Sequence, residues 1–213
     1  YPITKQLISY QNQNPEEKIG MLILDVKGNY YKKVQEYCER FQRKKDLIVI
    51  ELGGKIKYNP LDKPNLKPIV LANRLKTILT LFSPNNQESY WLDKAEQIIC
   101  ESIKLCRLYN EQYVTFQEIH KLITIPNYYL DKLDIIKEQF ISGKLNKKQC
   151  YDALSSIEFF EKEFNTLDSR TLSILKSEIT RITNNFLSDY DVINTFSPVK
   201  EELNFKGFEE IIK

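Results

Sequence analysis

The chain has 213 residues, 42% of them apolar and 28% charged, and its 31 Lys+Arg against 29 Asp+Glu leave a formal charge of +2. That length is enough for one sizeable core or two small ones. The near-balance of charge excludes the global basic excess that marks many nucleic-acid binders, and sparse Gly (6) and Pro (8) favour long helices over a turn-rich β-sandwich.

Ile3 to Tyr10 fits a short helix, and the polar stretch Asn12–Glu17, with Pro15, a loop. Gly20 to Asn29 reads GMLILDVKGN, a short apolar run ended by an acid and turn residues, which predicts a strand buried on both faces. Asp25 and Lys27 then stand at the carboxyl edge of that strand, where open α/β sheets carry their function, and Gly28 is free to take a positive φ. Tyr30–Arg43 is predicted helical, with Tyr31, Val34, Tyr37, Cys38 and Phe41 on one side. Asp46–Leu52 contains Leu47-Ile48-Val49-Ile50, a second buried strand closed by Gly53-Gly54. Strand, helix and strand in this order predict a right-handed βαβ unit with a parallel pair. Tyr58-Asn59-Pro60-Leu61-Asp62 is an ordered extended turn, because Pro60 keeps Asn59 out of the helical region. A domain boundary is expected between about Asp62 and Pro68.

Beyond it the periodicity is helical. Leu71, Leu75, Ile78 and Phe82 form one stripe, broken at Ser83-Pro84-Asn85-Asn86, and Trp91, Ala95, Ile98, Ile99, Ile103 and Cys106 form the next. Thr115-x-x-Glu118 is a capping-box pattern, and Asn146-x-x-Gln149 offers another possible cap. Pro126-Asn127 starts a helix carrying Leu130, Leu133, Ile136 and Phe140, with Gly143 as its stop. Tyr151, Leu154, Ile157 and Phe164 follow, then Leu172, Leu175, Ile179, Ile182 and Phe186. Tyr190–Pro198 reads as extended or loop, and Gly207–Ile212 as a short closing helix. The expected fold is mostly α with a small α/β part. Residues 1–64 are the partial α/β segment with strands near 20–25 and 47–52. Residues 65–190 are an all-α domain, and 191–213 return toward the α/β part.

Cys38, Cys100, Cys106 and Cys150 form no Cys-x-x-Cys pair and the one His is His120, so no zinc set lies close in sequence and reduced buried thiols are expected. No apolar stretch approaches the ~20 residues needed to span a bilayer. Opening on Tyr1-Pro2 without a signal core, the chain reads as a piece excised from a cytosolic protein. Trp91 lies on the stripe with Ala95 and Ile98, which favours core packing over base stacking. The run Arg40, Arg43, Lys44 and Lys45 sits at a helix C-terminus; complementing the helix dipole is the plain reading and a DNA phosphate contact the sharper one. Glu158, Glu161 and Glu163 with Lys162 read as a solvated charged face.

Three stretches resemble the TraG/TraD-type coupling proteins of type IV secretion and conjugation. Ile23-Leu24-Asp25-Val26-Lys27-Gly28 is similar to the family's Asp-Pro-Lys-Gly motif, with Val26 in place of Pro. Tyr58-Asn59-Pro60-Leu61-Asp62 is similar to its Asn-Pro-Leu-Asp segment, and Tyr90-Trp91-Leu92-Asp93-Lys94-Ala95-Glu96 to the start of a helix in its inserted all-α domain. The resemblance covers the first half of the chain. It implies a helical bundle inserted in a partial parallel RecA-like sheet, from a membrane-anchored cytoplasmic ATPase that is usually hexameric. Asp25, Lys27 and Gly28 become nucleotide-edge candidates without a catalytic step, and Arg40, Arg43, Lys44 and Lys45 candidates for DNA contact.

ATP and Mg²⁺ would belong to the parent. The phosphate loop would lie before Tyr1 and the second acidic strand past Lys213, so this piece alone is expected to hold no cofactor or metal and to hydrolyse nothing. Its expected partners are a relaxase, a relaxosome accessory protein or a secreted protein, with DNA in the parent; the oligomeric state of the piece itself stays open, a monomer included. Rival readings are a stand-alone helical interaction domain and an FtsK/HerA-like DNA pump. The motor ancestry requires the segment around Leu24 to lie extended alongside the one around Val49.

Overall fold

The structure, a computed structural model, describes residues 2–11, 13–14, 16–81 and 89–207. Among these the chain forms nine α-helices: α1 Pro2–Ser9, α2 Tyr31–Arg40, α3 Pro68–Leu81, α4 Ser89–Tyr109, α5 Phe116–Thr124, α6 Tyr128–Ile141, α7 Lys147–Glu158, α8 Ser169–Thr183 and α9 Tyr190–Phe196. No β-strand occurs among the described residues, and the sole β-type pairing is an isolated parallel bridge between Tyr58 and Phe205. The chain divides into two compact units, one running to Glu51 and resuming at Lys206, the other spanning Leu52–Phe205. The division thus falls before the turn at Asn59, whereas the sequence placed it after, and the segment from residue 191 through Phe205 belongs to the helical unit.

The strands expected near 20–25 and 47–52 are not formed, and the parallel RecA-like sheet is not seen. Both segments are irregular, and no backbone hydrogen bond joins them among the described residues. The physical reason is a shortage of partners: a pair of short strands with one helix buries too little to hold itself together in water. Leu22, Leu24 and Val26 accordingly stand 66%, 82% and 97% exposed. Ile23 and Leu47 alone of these runs pack on the small cluster of Ile8, Val34 and Cys38, together with Tyr30, Tyr37 and Phe41. Arg43 holds this first unit from within: its Nε donates to Asp46 at 3.0 Å, Nη2 to the Ile19 carbonyl at 3.1 Å and Nη1 to the Ile8 carbonyl at 3.5 Å.

The second unit is built around α4, whose buried side runs from Leu92 through Ala95, Ile98, Ile99 and Ile103 to Leu108. Helices α3, α5, α6, α7 and α8 all pack against it or against one another in one hydrophobic core. Trp91 packs against this core and sets its ring edge-on to Tyr90, 5.1 Å between centroids. The apolar stripes mark buried faces well in α4, α5 and α8, and less well elsewhere. In α7 the buried residues are Ala153 and Ser156, whereas Tyr151 and Leu154 are exposed. The helix rolls its small-residue side onto α4 because Glu101 there accepts from Ser155 Oγ and Ser156 Oγ, and Lys104 donates to Ser155 Oγ. A π-helical turn at Phe159–Glu163 then turns Phe159, Phe160 and Phe164 inward, where Phe160 stacks on Tyr129 at 5.3 Å.

The caps follow the sequence closely. Asn146 and Gln149 form a reciprocal capping box. Thr115 Oγ1 accepts from the Glu118 amide, but the Glu118 carboxylate turns away to Tyr109, Lys121 and Tyr128, so that box stays half closed. Gly143, at φ 68°, ends α6 as expected. Tyr190–Phe196, expected as extended or loop, is helical because the Asp189 side chain caps the Val192 amide at 3.0 Å and Val192 and Thr195 are buried. Phe82, the Ser83–Asn86 break and the helix expected at Gly207–Ile212 lie wholly or mostly outside the described residues.

Between the irregular first part of the second unit and its helices lies the turn at Asn59. Asn59 is buried; its Nδ2 donates to the Val114 carbonyl at 2.8 Å, and its Oδ1 accepts from the Leu61 amide at 2.9 Å. Asn59→Ala strands both of those buried backbone groups and is expected to destabilise the helical unit by about 2–4 kcal/mol, read as a lower urea midpoint with an unchanged slope.

Candidate functional site

Asp25, Gly28 and Arg43, of the residues singled out in the first unit, have local structural duties. Asp25 Oδ2 accepts from the Tyr30 and Tyr31 amides at 2.8 and 2.9 Å, so the carboxylate caps the start of α2 from outside. The Tyr31 amide, ahead of the smaller opposing effect of burial, holds its pKa below the ordinary value of 3.8. Gly28 does take a positive φ, 67°, in a turn closed by its amide on the Asp25 carbonyl at 3.2 Å. Lys27 is exposed beside it. The basic run divides by burial: Arg43 is the buried tie described above, Lys44 pairs with Glu39 at 3.1 Å, and Arg40 and Lys45 are exposed. The four cations therefore do not form one patch.

In the helical unit the charged face of Glu158, Glu161 and Glu163 with Lys162, expected to be solvated, also carries ties. Glu161 pairs with Lys137 at 2.7 Å and Glu163 with Lys94 at 3.7 Å, while Glu158 pairs with Lys162 along the helix at 3.1 Å. Cys38, Cys100 and Cys106 are buried free thiols, with burial pushing Cys100 up to about 11 and Cys106 up to about 12. Such groups are inert at neutral pH. His120 Nδ1 sits 2.8 Å from Thr183 Oγ1, tying α5 to α8, and burial lowers its pKa. Glu118 is a half-buried acid at the centre of a polar network. Burial pushes its pKa up, but hydrogen bonds from Tyr109 and Lys121 outweigh that and the carboxylate stays charged. Lys132 stands over the rings of both Tyr109 and Tyr128, 5.2 and 4.9 Å from their centroids. Every member of the network is partnered, which makes it a structural device.

Two features remain with functional geometry. One is the stem of the helical unit, where its first and last segments meet. Tyr58 N donates to the Thr195 carbonyl at 2.9 Å, Phe205 N to the Lys57 carbonyl at 3.1 Å, and Asn204 brackets Lys57 N and the Lys55 carbonyl at 2.8 and 2.7 Å. The Tyr58 and Phe205 rings pack at 5.6 Å. Gly53, at φ 69°, lies so close to Asp191 that a Cβ would meet Oδ1 at 3.1 Å.

The other is a cleft of about 670 Å³ between α3, α8 and the turn after Tyr58. Its floor is Leu71, Leu75, Ile78, Phe116, Ile182 and Phe186; its cations are Lys63, Arg74 and Arg181, and no described lining residue is acidic. Arg181 also pairs with Glu178 at 3.0 Å, whereas the Arg74 side chain is exposed and makes no hydrogen bond or ion pair among the described residues. Sequence reasoning missed this site because its cations come from three separate segments. The one available signal was a second stripe on α3, Val70, Arg74, Ile78 and Leu81, at helical spacing beside the buried Leu71 and Leu75.

Among the described residues no group of His, Cys, Asp or Glu could hold a metal ion, and no helix is long and apolar enough to cross a membrane. No family profile, curated protein or solved structure matches this chain.

Two expectations follow for the first unit. Arg43→Met removes a buried cation from two carbonyls and Asp46 and is expected to cost about 2–4 kcal/mol, whereas Lys45→Glu leaves the melting curve unchanged. For Asp25 the folded pKa is depressed, so its contribution is complete above the unfolded value and is lost as pH falls through the folded one. Asp25→Ala is therefore expected to speed amide exchange at Tyr30 and Tyr31 near neutral pH, and the difference from the parent chain should vanish in strong acid.

Proposed function

We propose that the Leu52–Phe205 unit is a protein-docking domain inserted in a coupling ATPase of the TraG/TraD kind, where it receives a DNA–protein substrate for conjugative transfer or type IV secretion. The observation that carries this reading is the stem. The unit's ends are held together by Tyr58, Lys57, Asn204 and Phe205, while the chain before Leu52 and after Phe205 belongs to the other unit. Domains with adjacent ends are the ones that insertion tolerates. The ordered trio of resembling motifs supports it further, and the second of them has a physical role as the Asn59 latch.

In this reading the first unit is part of a RecA-like domain whose sheet is completed by strands outside these residues. The exposure of Leu22, Leu24 and Val26 on an irregular segment with no ladder partner supports that placement, since exposed apolar side chains beside unpaired backbone invite a partner. Asp25, Lys27 and Gly28 would lie at the nucleotide edge, and ATP with Mg²⁺ would be held by parts of the parent. DNA, a relaxase or accessory protein would be the parent's partners, in a hexamer attached to the membrane.

A second reading, a helical interaction domain with no motor, is favoured by one observation: Gly20–Asp25 and Leu47–Leu52 form no strands and do not pair, so the extended alignment that the motor ancestry requires is not met among the described residues. The two readings part on a longer polypeptide that follows the natural reading frame on both sides. The first expects a phosphate loop upstream, an acidic strand downstream, DNA-stimulated ATP hydrolysis and slow amide exchange at Leu22–Val26. A longer protein that folds, yet binds no ATP and leaves those amides fast, would sink the motor and leave the docking domain.

A further inference from the structure

We infer that the cleft between α3 and α8 is a receptor for a peptide segment that carries acidic residues beside apolar ones. The inference deepens the docking function proposed above and rests on it for its setting; its chemistry comes from the cleft.

Three observations converge. The floor is apolar and packed: Phe116 and Phe186 stack face to face at 3.9 Å and 8°, and Leu71, Leu75 and Ile182 are core residues. The apolar surface continues out of the cleft along α3, where Ile78 is 40% exposed and Leu81 77%. Helix grooves of this kind take apolar side chains presented at helical or extended spacing. The cations at the mouth are Lys63, Arg74 and Arg181; Arg181 is already paired with Glu178 and Lys63 stands over the Tyr58 ring, so the exposed Arg74 leads the charge offered to a partner, with no acid among the described lining residues. One-signed charge around an apolar floor selects a partner of opposite charge and repels a basic one.

The aromatic side chains argue for protein over single-stranded nucleic acid. Base stacking needs a ring with a free face. Phe116 and Phe186 cover each other, Phe186 is further packed edge-on by Phe196 at 5.8 Å, and Tyr58 lies against Phe205 with Lys63 over its ring. What remains is an apolar trough with cations at its lip, which suits Leu, Ile or Phe flanked by Asp or Glu.

The test is a selection of random peptides of about sixteen residues, displayed on phage, against the whole 213-residue chain, without ATP or DNA. Selected peptides are expected to be enriched in Asp and Glu next to Leu, Ile and Phe. Synthesised with a fluorophore, they should bind with anisotropy curves that weaken as salt rises. They should shift the amide signals of Arg74, Ile78 and Asn185. Arg74→Glu and Ile78→Ser, both at exposed positions and checked for an unchanged melting curve, should each weaken binding by about tenfold or more, while Lys147→Glu on α7 should not. Selected peptides that are basic, binding that ignores both cleft variants, or displacement of the peptide from the cleft by a single-stranded oligonucleotide would each overturn the inference. None of these outcomes depends on ATP binding by the longer protein, so the receptor and the motor fail separately.

Discussion

The structure depends on how an irregular stretch of chain, Tyr58 to Lys67, is held against a helical bundle. A loop brought to a core carries backbone groups that must find partners, or each costs the free energy of a lost hydrogen bond. Here side chains supply them. Arg107 of α4 donates to the Leu66 and Lys63 carbonyls at 2.8 Å each, and Asn59 satisfies Val114 and Leu61. Tyr113 donates to the Pro198 carbonyl at 2.7 Å and so draws in the segment that follows α9. The same few side chains therefore anchor both ends of the helical unit. They also set Lys63 at the mouth of the cleft and Tyr58 in its wall.

Polar groups inside the bundle obey the same rule. Glu101 of α4 is buried yet surrounded by Lys104, Ser155 and Ser156, which decides the face that α7 turns inward. Glu118 of α5 is met by Tyr109, Lys121 and Tyr128. A carboxylate met by several donors inside the bundle fixes its helices more specifically than an apolar contact of equal area. The apolar core supplies the cohesion, and these acids set the register.

The two units differ in how far each meets its own needs. The helical unit buries the stripes of α4, α5 and α8 in one core, though Ile78, Leu130, Phe140, Tyr151 and Leu154 stay exposed. The first unit leaves Leu22, Leu24 and Val26 in water and relies on Arg43 and a small cluster around Val34. An exposed apolar backbone without a ladder is a place where another chain segment can add. The proposed motor and the proposed receptor thus draw on different features, exposed apolar residues on an irregular segment in one unit and an apolar trough with cations at its lip in the other.

By itself the sequence determined what is local. The 3.6-residue stripes of α4, α5 and α8, the Asn146–Gln149 box, the Gly143 stop and the restricted Asn59-Pro60 turn all depend on neighbours a few positions away, and all are present. Tertiary structure decided what depends on partners. The apolar runs Gly20–Asp25 and Leu47–Leu52 look like strands, but a strand needs another strand, and no described residue provides it. Helix α7 looks apolar along Tyr151 and Leu154, but Glu101 drew its small-residue face inward. The cleft was out of reach for the same reason, since Lys63, Arg74 and Arg181 become neighbours only when α3, α8 and the Asn59 turn are packed together.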